Sequence, residues 1–197
     1  MKEKVINSTT NYLMKYQHFS KSDLEKIRYG LEGLYLTLTK IIIIVGIAFL
    51  LGMLKEVIII LILFNIIRYT GFGFHANTSM ECLILSTINF ILMPSLFLRF
   101  GVSNIVAIII GCLSIISYVL FAPADTVKRP LPNKRKRLIR KISTVIIGLI
   151  YFGLMFIVPS WKPLFLSALV MQAIVINPLL YKVFKQPYNN YKNFKRT

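Results

Sequence analysis

Residues 68–82 have the sequence RYTGFGFHANTSMEC and separate two strongly apolar runs. This polar stretch contains one of the two histidines and one of the two cysteines of the chain. Two glycines, Gly71 and Gly73, loosen the backbone just before His75. We therefore expect two membrane helices that are joined here by a polar, chemically active segment at the membrane boundary.

The residues that follow His75 predict the start of a helix. Thr78, with Glu81 three residues later, forms a capping-box pattern. Cys82 would then lie in the first turn or just beyond it, where the positive end of the helix dipole favours the reactive thiolate. On one continuous helix His75 and Cys82 would be two turns apart, roughly 10 Å. A catalytic contact therefore requires His75 to fold back from a loop.

Two interpretations of His75 and Cys82 stay open from the residues alone. A single cysteine in an apolar chain is usually a small buried hydrophobic residue, and one histidine is more often structural than catalytic. The alternative is a Cys/His pair in which the histidine activates the thiol. Cys112, in the middle of the apolar run 108–113, is expected to pack and to have no chemical role.

Composition limits the class of protein. Of the 197 residues 56% are hydrophobic, the mean hydropathy is +0.67 and the net charge is +17. A soluble domain cannot bury so much apolar surface, so the sequence predicts an all-α polytopic membrane protein. The basic residues cluster at the ends of apolar runs without interleaved aromatic residues. This pattern favours anionic membrane lipids as partners and argues against nucleic acid.

The apolar pattern predicts an N-terminal amphipathic interfacial helix and about six transmembrane helices. The interfacial helix covers 5–19 and ends near His18, and Ser22 with Glu25 predicts a second capping box. The candidate spans are 34–54, 57–70, 83–98, 105–121, 142–158 and 164–181. Full crossing by 57–70 stays open, since a span needs about 20 residues. We expect a single membrane domain with interfacial helices in 1–33, spans in 34–182 and a basic tail in 183–197.

The basic residues also predict an orientation. Nineteen of the 24 Lys and Arg residues lie in 1–28, 125–141 and 182–197. Six spans place these three segments on one side of the membrane, which is the cytoplasm by the positive-inside rule. Both termini, and the boundary that carries His75 and Cys82, are then expected to be cytoplasmic.

Two further features are candidates for function. Glu32 lies just before the first span becomes wholly apolar, where an acid is costly unless it is paired. It is either a functional residue or a headgroup-level partner of a Lys or Arg. The loop 122–132 combines prolines with charge, and proline restricts the backbone and blocks helices. We expect a shaped turn there.

Two spaced motifs resemble those of a known family. Arg-x6-His-x6-Cys is present as Arg68, His75 and Cys82, and Ala-Pro-x-x-Thr-x-x-x-Pro spans 122–130. With its length, span number and basic loop, nearly the whole chain resembles the AgrB family, the accessory gene regulator membrane endopeptidases of Gram-positive quorum sensing. The resemblance implies a thiol protease of the plasma membrane, with Cys82 and His75 as the catalytic pair and Arg68 as a supporting residue.

The resemblance also assigns the remaining candidates. Supporting or substrate-binding positions would be Pro123, Thr126, Pro130 and Glu32; some members carry Gln where this chain has Glu32. The implied substrate is an AgrD-like precursor peptide, cleaved at its C-terminal tail and cyclised through a thioester, without metal or cofactor. A homodimer is kept open as the oligomeric state. The rival function is a small multi-span transporter or peptide exporter.

Overall fold

The computed structural model describes residues 2–16, 19–76, 78–126 and 130–192. His18, Asn77 and the end of the predicted basic tail lie outside the described residues, as does part of the proline-containing loop. Every named element of the described residues is helical, which confirms the all-α fold.

The chain divides into two compact units, residues 1–47 and 48–197. The first contains α1 (Lys2–Met14) and most of α2 (Lys21–Leu50). The prediction that Ser22 caps α2 is wrong. Ser20, two residues earlier, is the cap, because its hydroxyl accepts a hydrogen bond from the Asp23 backbone N–H at 3.1 Å. Within this unit Arg28 and Glu3 form an ion pair of 2.7 Å.

The second unit begins in the last turn of α2 and continues with α3 (Leu54–Gly71). Next come α4 (Ser79–Thr87), a π-helical turn (Ile88–Leu92) and α5 (Met93–Phe100), which together form one helical stretch. The helices α6 (Asn104–Phe121), α7 (Lys134–Ile157), α8 (Lys162–Ile176) and α9 (Pro178–Val183) complete it, with short 3-10 turns at Pro159–Trp161 and Asn190–Lys192. The predicted last span, 164–181, is interrupted because Pro178 starts the separate helix α9.

Helix α8 forms the centre of the second unit and packs against α3, α5, α6 and α7. Small residues allow close approach in the bundle: a Cβ on Gly148 would lie 2.8 Å from the Tyr118 ring. Tyrosine hydroxyls link the helices, since Tyr118 donates to the Leu169 carbonyl at 2.6 Å and Tyr151 to the Leu63 carbonyl at 3.0 Å. These contacts hold α8 beside the end of α3, where the candidate site lies.

Five helical segments of the described residues are long and apolar enough to cross a membrane, namely Ser22–Leu50, Ser79–Phe100, Asn104–Phe121, Lys134–Ile157 and Pro159–Ile176. The predicted span 57–70 lies in α3, which carries Lys55, Glu56 and Arg68 and does not qualify by the same criterion. The count of six spans therefore stays a prediction, while the polytopic membrane architecture is confirmed.

Candidate active site

The loop that follows α3 requires glycine where it passes α8. The backbone at Phe72 and Gly73 adopts φ values of 53° and 130°, both in the left-handed region. A Cβ on Gly73 would lie 2.9 Å from the carbonyl oxygen of Val175, closer than real Cβ atoms approach. Gly73 therefore lets the loop pack directly on the end of α8.

Backbone hydrogen bonds clamp this loop between two other segments. The Gly73 N–H donates to the Ala124 carbonyl at 3.0 Å, and the Ala124 N–H donates to the Gly71 carbonyl at 3.0 Å. The Phe74 N–H donates to the Val175 carbonyl at 2.7 Å. The loop 72–76, called the glycine loop below, is thus hydrogen-bonded to the proline-containing loop and to the end of α8.

Side-chain amides from the C-terminal third add two further anchors. Gln172 of α8 is fully buried and donates from Nε2 to the Phe72 carbonyl at 3.0 Å. A Cβ on Gly71 would clash with that Nε2, so the contact favours glycine at 71. Gln186 donates from Nε2 to the His75 carbonyl at 2.6 Å. Both ends of the loop are thereby fixed.

Arg68, in the last turn of α3, reaches across the same loop. Its Nη2 donates to the Phe74 carbonyl at 2.7 Å, and its guanidinium lies 5.5 Å from the centre of the Phe64 ring. Cys82 and Tyr181 both lie within electrostatic range of the guanidinium charge. Arg68 therefore anchors the loop that carries His75.

The predicted start of the cysteine helix is confirmed. The Thr78 side chain accepts a hydrogen bond from the Glu81 N–H at 3.2 Å, and the Glu81 carboxylate accepts one from the Thr78 N–H at 3.4 Å, so both halves of the capping box form. Cys82 is the fourth residue of α4 and is half-buried. Its N–H donates to the Thr78 carbonyl at 3.0 Å as part of the helix.

His75 lies in the preceding loop, which is where the fold-back hypothesis requires it, and its side chain is exposed. The structure shows no Cys82–His75 catalytic pair, so the pair stays a proposal.

A cleft of about 510 Å³ lies beside the glycine loop. Its lining brings together three of the predicted site residues, Arg68, His75 and Thr126. The other lining residues are Asn65, Tyr69, Phe72, Gly73 and Arg140. Cys82 is not part of this lining. The cleft is an open space next to His75.

The proline-containing loop forms the second wall of the site. Its Ala122–Pro123 peptide bond is cis, and Pro123 and Thr126 are buried while Pro130 is half-buried. The Asp125 carboxylate is also buried and accepts hydrogen bonds from the N–H groups of Leu131 at 3.2 Å and Tyr191 at 2.7 Å. The expected shaped turn is confirmed for the part of this loop that the structure describes.

Sequence reasoning missed Arg140, which it counted only as part of the basic segment. Arg140 donates from Nη1 to the Tyr69 carbonyl at 2.5 Å, and its guanidinium lies 4.2 Å from the centre of the Phe72 ring. It also lines the cleft beside Arg68. Two cations therefore face the space next to His75.

Comparison with known proteins decides the family. The sequence model of one protein family, AgrB (accessory gene regulator B), matches residues 6–183. The chain belongs to the AgrB family. An AgrB-like protein of Listeria innocua is 31% identical over 172 residues, which cover 86% of this chain and 84% of the relative. For an AgrB-like protein of Clostridium acetobutylicum, the identity is 30% over 201 residues, with coverage of 99% and 94%.

A third relative carries the name of the regulatory system itself. Accessory gene regulator protein B of Staphylococcus aureus is 27% identical over 176 residues, which cover 89% of this chain and 94% of the relative. No solved structure matches the chain. Membership of the AgrB family confirms the motif-based resemblance and, with the apolar helices, identifies a membrane protein of the accessory gene regulator system.

One predicted site residue of this AgrB-family chain belongs to the first compact unit. Glu32 is half-buried in α2, within the first compact unit. Its supporting role stays a prediction.

Proposed function

We propose that the chain is a membrane cysteine endopeptidase that removes the C-terminal tail of an AgrD-like precursor peptide and promotes cyclisation of the remainder. The observation that carries the proposal is the placement of Cys82 in the first turns of a capped helix, directly after a clamped loop that presents His75. AgrB-family membership supports the substrate class.

The first chemical step forms a covalent intermediate. His75 takes the thiol proton of Cys82, and the thiolate attacks the carbonyl carbon at the end of the pheromone segment. The peptide C–N bond then breaks, and the imidazolium gives its proton to the departing amine of the tail. The tail leaves as a free peptide, and the pheromone segment remains on Cys82 as a thioester.

The second step closes the ring. A thiol or hydroxyl within the bound peptide attacks the thioester carbonyl while His75 takes its proton. The bond to the Cys82 sulfur breaks, the thiolate leaves, and His75 returns the proton to it. Because a thiol attack exchanges one thioester for another, the intermediate retains the activation that hydrolysis would lose.

The oxyanion of each step needs hydrogen-bond donors. The N–H of Cys82 is already engaged by the Thr78 carbonyl, and the N–H of Glu81 by the Thr78 hydroxyl. The remaining backbone donors at this helix start are the N–H groups of Ser79 and Met80, which have no acceptor within the helix. Arg68 is the second source, because a guanidinium has donors beyond the one bound to Phe74.

The catalytic contact itself forms with the substrate. His75 is exposed on its loop, and catalytic hydrogen bonds commonly tighten only when the substrate is bound. A peptide in the cleft beside the glycine loop would cover His75 and move its ring toward Cys82. The cations Arg68 and Arg140 would orient peptide carbonyl or carboxylate groups there.

The site is proposed to lie at the cytoplasmic face. With α3 as a sixth span, both termini and the three basic segments share that face. Helix α3 has 18 residues and is roughly 27 Å long, close to the hydrocarbon thickness of a bilayer. A newly made precursor would then reach His75 and Cys82 without prior export, and the basic segments would attract its acidic tail and anionic lipids.

Single substitutions test the assignment. Cys82→Ala and His75→Ala are each expected to lower tail cleavage by at least about a hundredfold, since each removes one half of the nucleophile–base unit. Cys112→Ala is the matched control and should process the precursor normally. The measurement is a gel or mass assay of precursor cleavage in membranes with equal amounts of each variant. Near-normal cleavage by Cys82→Ala would favour the rival interpretation, a transporter or exporter with an inert cysteine.

A further inference from the structure

A second cavity, of about 250 Å³, lies between the end of α6, the start of α7 and the C-terminal segment. Its lining includes Pro123 of the proline-containing loop but shares no residue with the lining of the His75 cleft. Arg137 and Lys141 line it together with Tyr188. Leu120 and Leu138 form its apolar edge, with 63% and 58% of their surfaces exposed. The cavity therefore joins a cationic interior to exposed apolar side chains.

The two cations of the cavity differ from the rest of the basic segment. Arg137 and Lys141 are one helical turn apart, so they lie on the same face of α7. Both are half-buried, whereas Lys134, Arg135 and Lys136 are exposed. Within the described part of the chain neither Arg137 nor Lys141 takes part in an ion pair. Half-buried charges without a counterion favour an external anion.

The carboxylate of Asp125 is the acidic group in this region, and its charge reaches Tyr188. Asp125 does not line the cavity, and its Oδ2 accepts hydrogen bonds from the N–H groups of Leu131 and Tyr191. The guanidinium of Arg137 stacks on the Tyr191 ring, 3.1 Å from its centre. The guanidinium is thus fixed in position.

Tyr188 contributes shape and no charge. Its hydroxyl donates to the Phe121 carbonyl at 3.3 Å and holds the C-terminal segment against the end of α6. Burial, followed by the nearby Asp125 carboxylate, raises the pKa of Tyr188 to about 12. The hydroxyl is therefore neutral at physiological pH, and Arg137 and Lys141 are the charged residues among those that line the cavity.

We propose that this cavity binds the phosphodiester group of an anionic phospholipid. The cavity lies where α6 ends at Phe121 and where α7 changes from basic to apolar after Lys141, which is the level of lipid headgroups. Arg137 and Lys141 bind the phosphate oxygens, and the exposed Leu120 and Leu138 contact the first acyl carbons. The apolar edge favours a lipid over free phosphate as the source of the anion.

The test measures lipid binding to the purified full-length chain in an uncharged detergent by native mass spectrometry. The probes are phosphatidylglycerol, phosphatidylcholine and inorganic phosphate. Arg137→Gln/Lys141→Gln is expected to bind phosphatidylglycerol at least about tenfold more weakly, since two charge-assisted hydrogen bonds are lost. The control Lys134→Gln/Arg135→Gln removes the same charge from exposed positions and should weaken binding less than about threefold.

Several outcomes would overturn the proposal. Equal weakening by the two double variants would show diffuse attraction by the basic segment, and equal affinity for phosphatidylcholine would exclude recognition of an anionic lipid. Displacement of phosphatidylglycerol by an equal concentration of inorganic phosphate would assign a free-anion site. If the double variant does not fold, single variants replace it. Lys141→Gln should then weaken phosphatidylglycerol binding at least about threefold, while Lys141→Arg should retain it. Retained binding by Lys141→Gln together with weakened binding by Lys141→Arg would contradict the site. No step depends on peptide cleavage, so this proposal and the peptidase proposal can fail separately.

Discussion

Arg68 is the charged residue that anchors the loop of the candidate site. Its guanidinium donates to the Phe74 carbonyl next to His75 and lies within electrostatic range of Cys82. The planar group also faces the Phe64 ring. A lysine could retain the positive charge, but it has no planar fork with which to contact the loop and a developing oxyanion together.

Arg68→Lys is therefore expected to lower the rate of tail cleavage at least about tenfold, because one charge-assisted hydrogen bond to the loop or the oxyanion is lost. Arg99→Lys is the matched control, since Arg99 is exposed at the end of α5 and should tolerate the change. Initial cleavage rates in membranes with equal protein levels would decide. Equal, mild effects of both substitutions would reduce Arg68 to an interfacial anchor.

At the scale of residues, the sequence predicts those contacts that form between neighbours along the chain. The capping box at Thr78 depends on four consecutive residues, and it forms as predicted. The same pattern at Ser22 failed, because Ser20 lies two residues earlier and satisfies the helix start instead. A contact between His75 and Cys82 depends on how a loop folds back, and residue spacing alone does not determine that.

At the scale of elements, helix α8 anchors the backbone of the glycine loop, which carries His75. Gln172 and Val175 of α8 bind the backbone of Phe72 and Phe74, about one hundred residues earlier in the sequence. Removing the Gln172 amide would leave the half-buried Phe72 carbonyl without this donor, a loss of about 1–3 kcal/mol. The glycine loop would then be less firmly placed.

Gln172→Leu is expected to lower cleavage while Gln172→Asn, which keeps the amide, should retain more of it. Met171→Leu, a volume-conserving change at a fully buried neighbour, is the control for general packing and should have little effect. Cleavage rates and thermal unfolding of all three variants are measured together. A Gln172→Leu variant that unfolds earlier yet cleaves normally would contradict a role for this helix in placing the loop.

The elements themselves were largely predictable, but their contacts were not. Apolar runs of membrane length gave most of the helices, while Pro178, which ends the predicted last span early, was overlooked. Gln172 stood out as a polar residue in an apolar run, a signal that could have marked it. Arg140 gave no such signal, because it lies in a basic segment whose charges all look alike in sequence.

For the whole molecule, the span count decides on which side the site lies. Five segments of the described residues qualify as spans and α3 carries three charges, so the cytoplasmic placement depends on α3 crossing the membrane. If α3 lay along the surface instead, the basic segments would no longer share one face. The strong clustering of Lys and Arg favours six crossings.

Reporter cysteines test this topology. In a chain with Cys82 and Cys112 replaced by serine, a membrane-impermeant thiol reagent added to intact cells should label cysteines at Asn104 and Ser160, because these positions are expected outside. Cysteines at Met80 and Pro132 should label only after the cells are opened. All four positions are exposed, so differences in burial do not confound the comparison. Labelling at Met80 in intact cells would place the site outside and require export before cleavage.

The central claim is that Cys82 carries the peptide as a thioester. The direct measurement is the intact mass of the protein after acid quenching during reaction with a precursor whose ring-forming Cys or Ser is replaced by alanine. This substrate permits acylation and blocks ring closure, so we expect an adduct with the mass of the tail-free peptide, located at Cys82, sensitive to hydroxylamine and absent from Cys82→Ala. Release of the tail without any adduct on Cys82, or an adduct located at Cys112, would contradict the account.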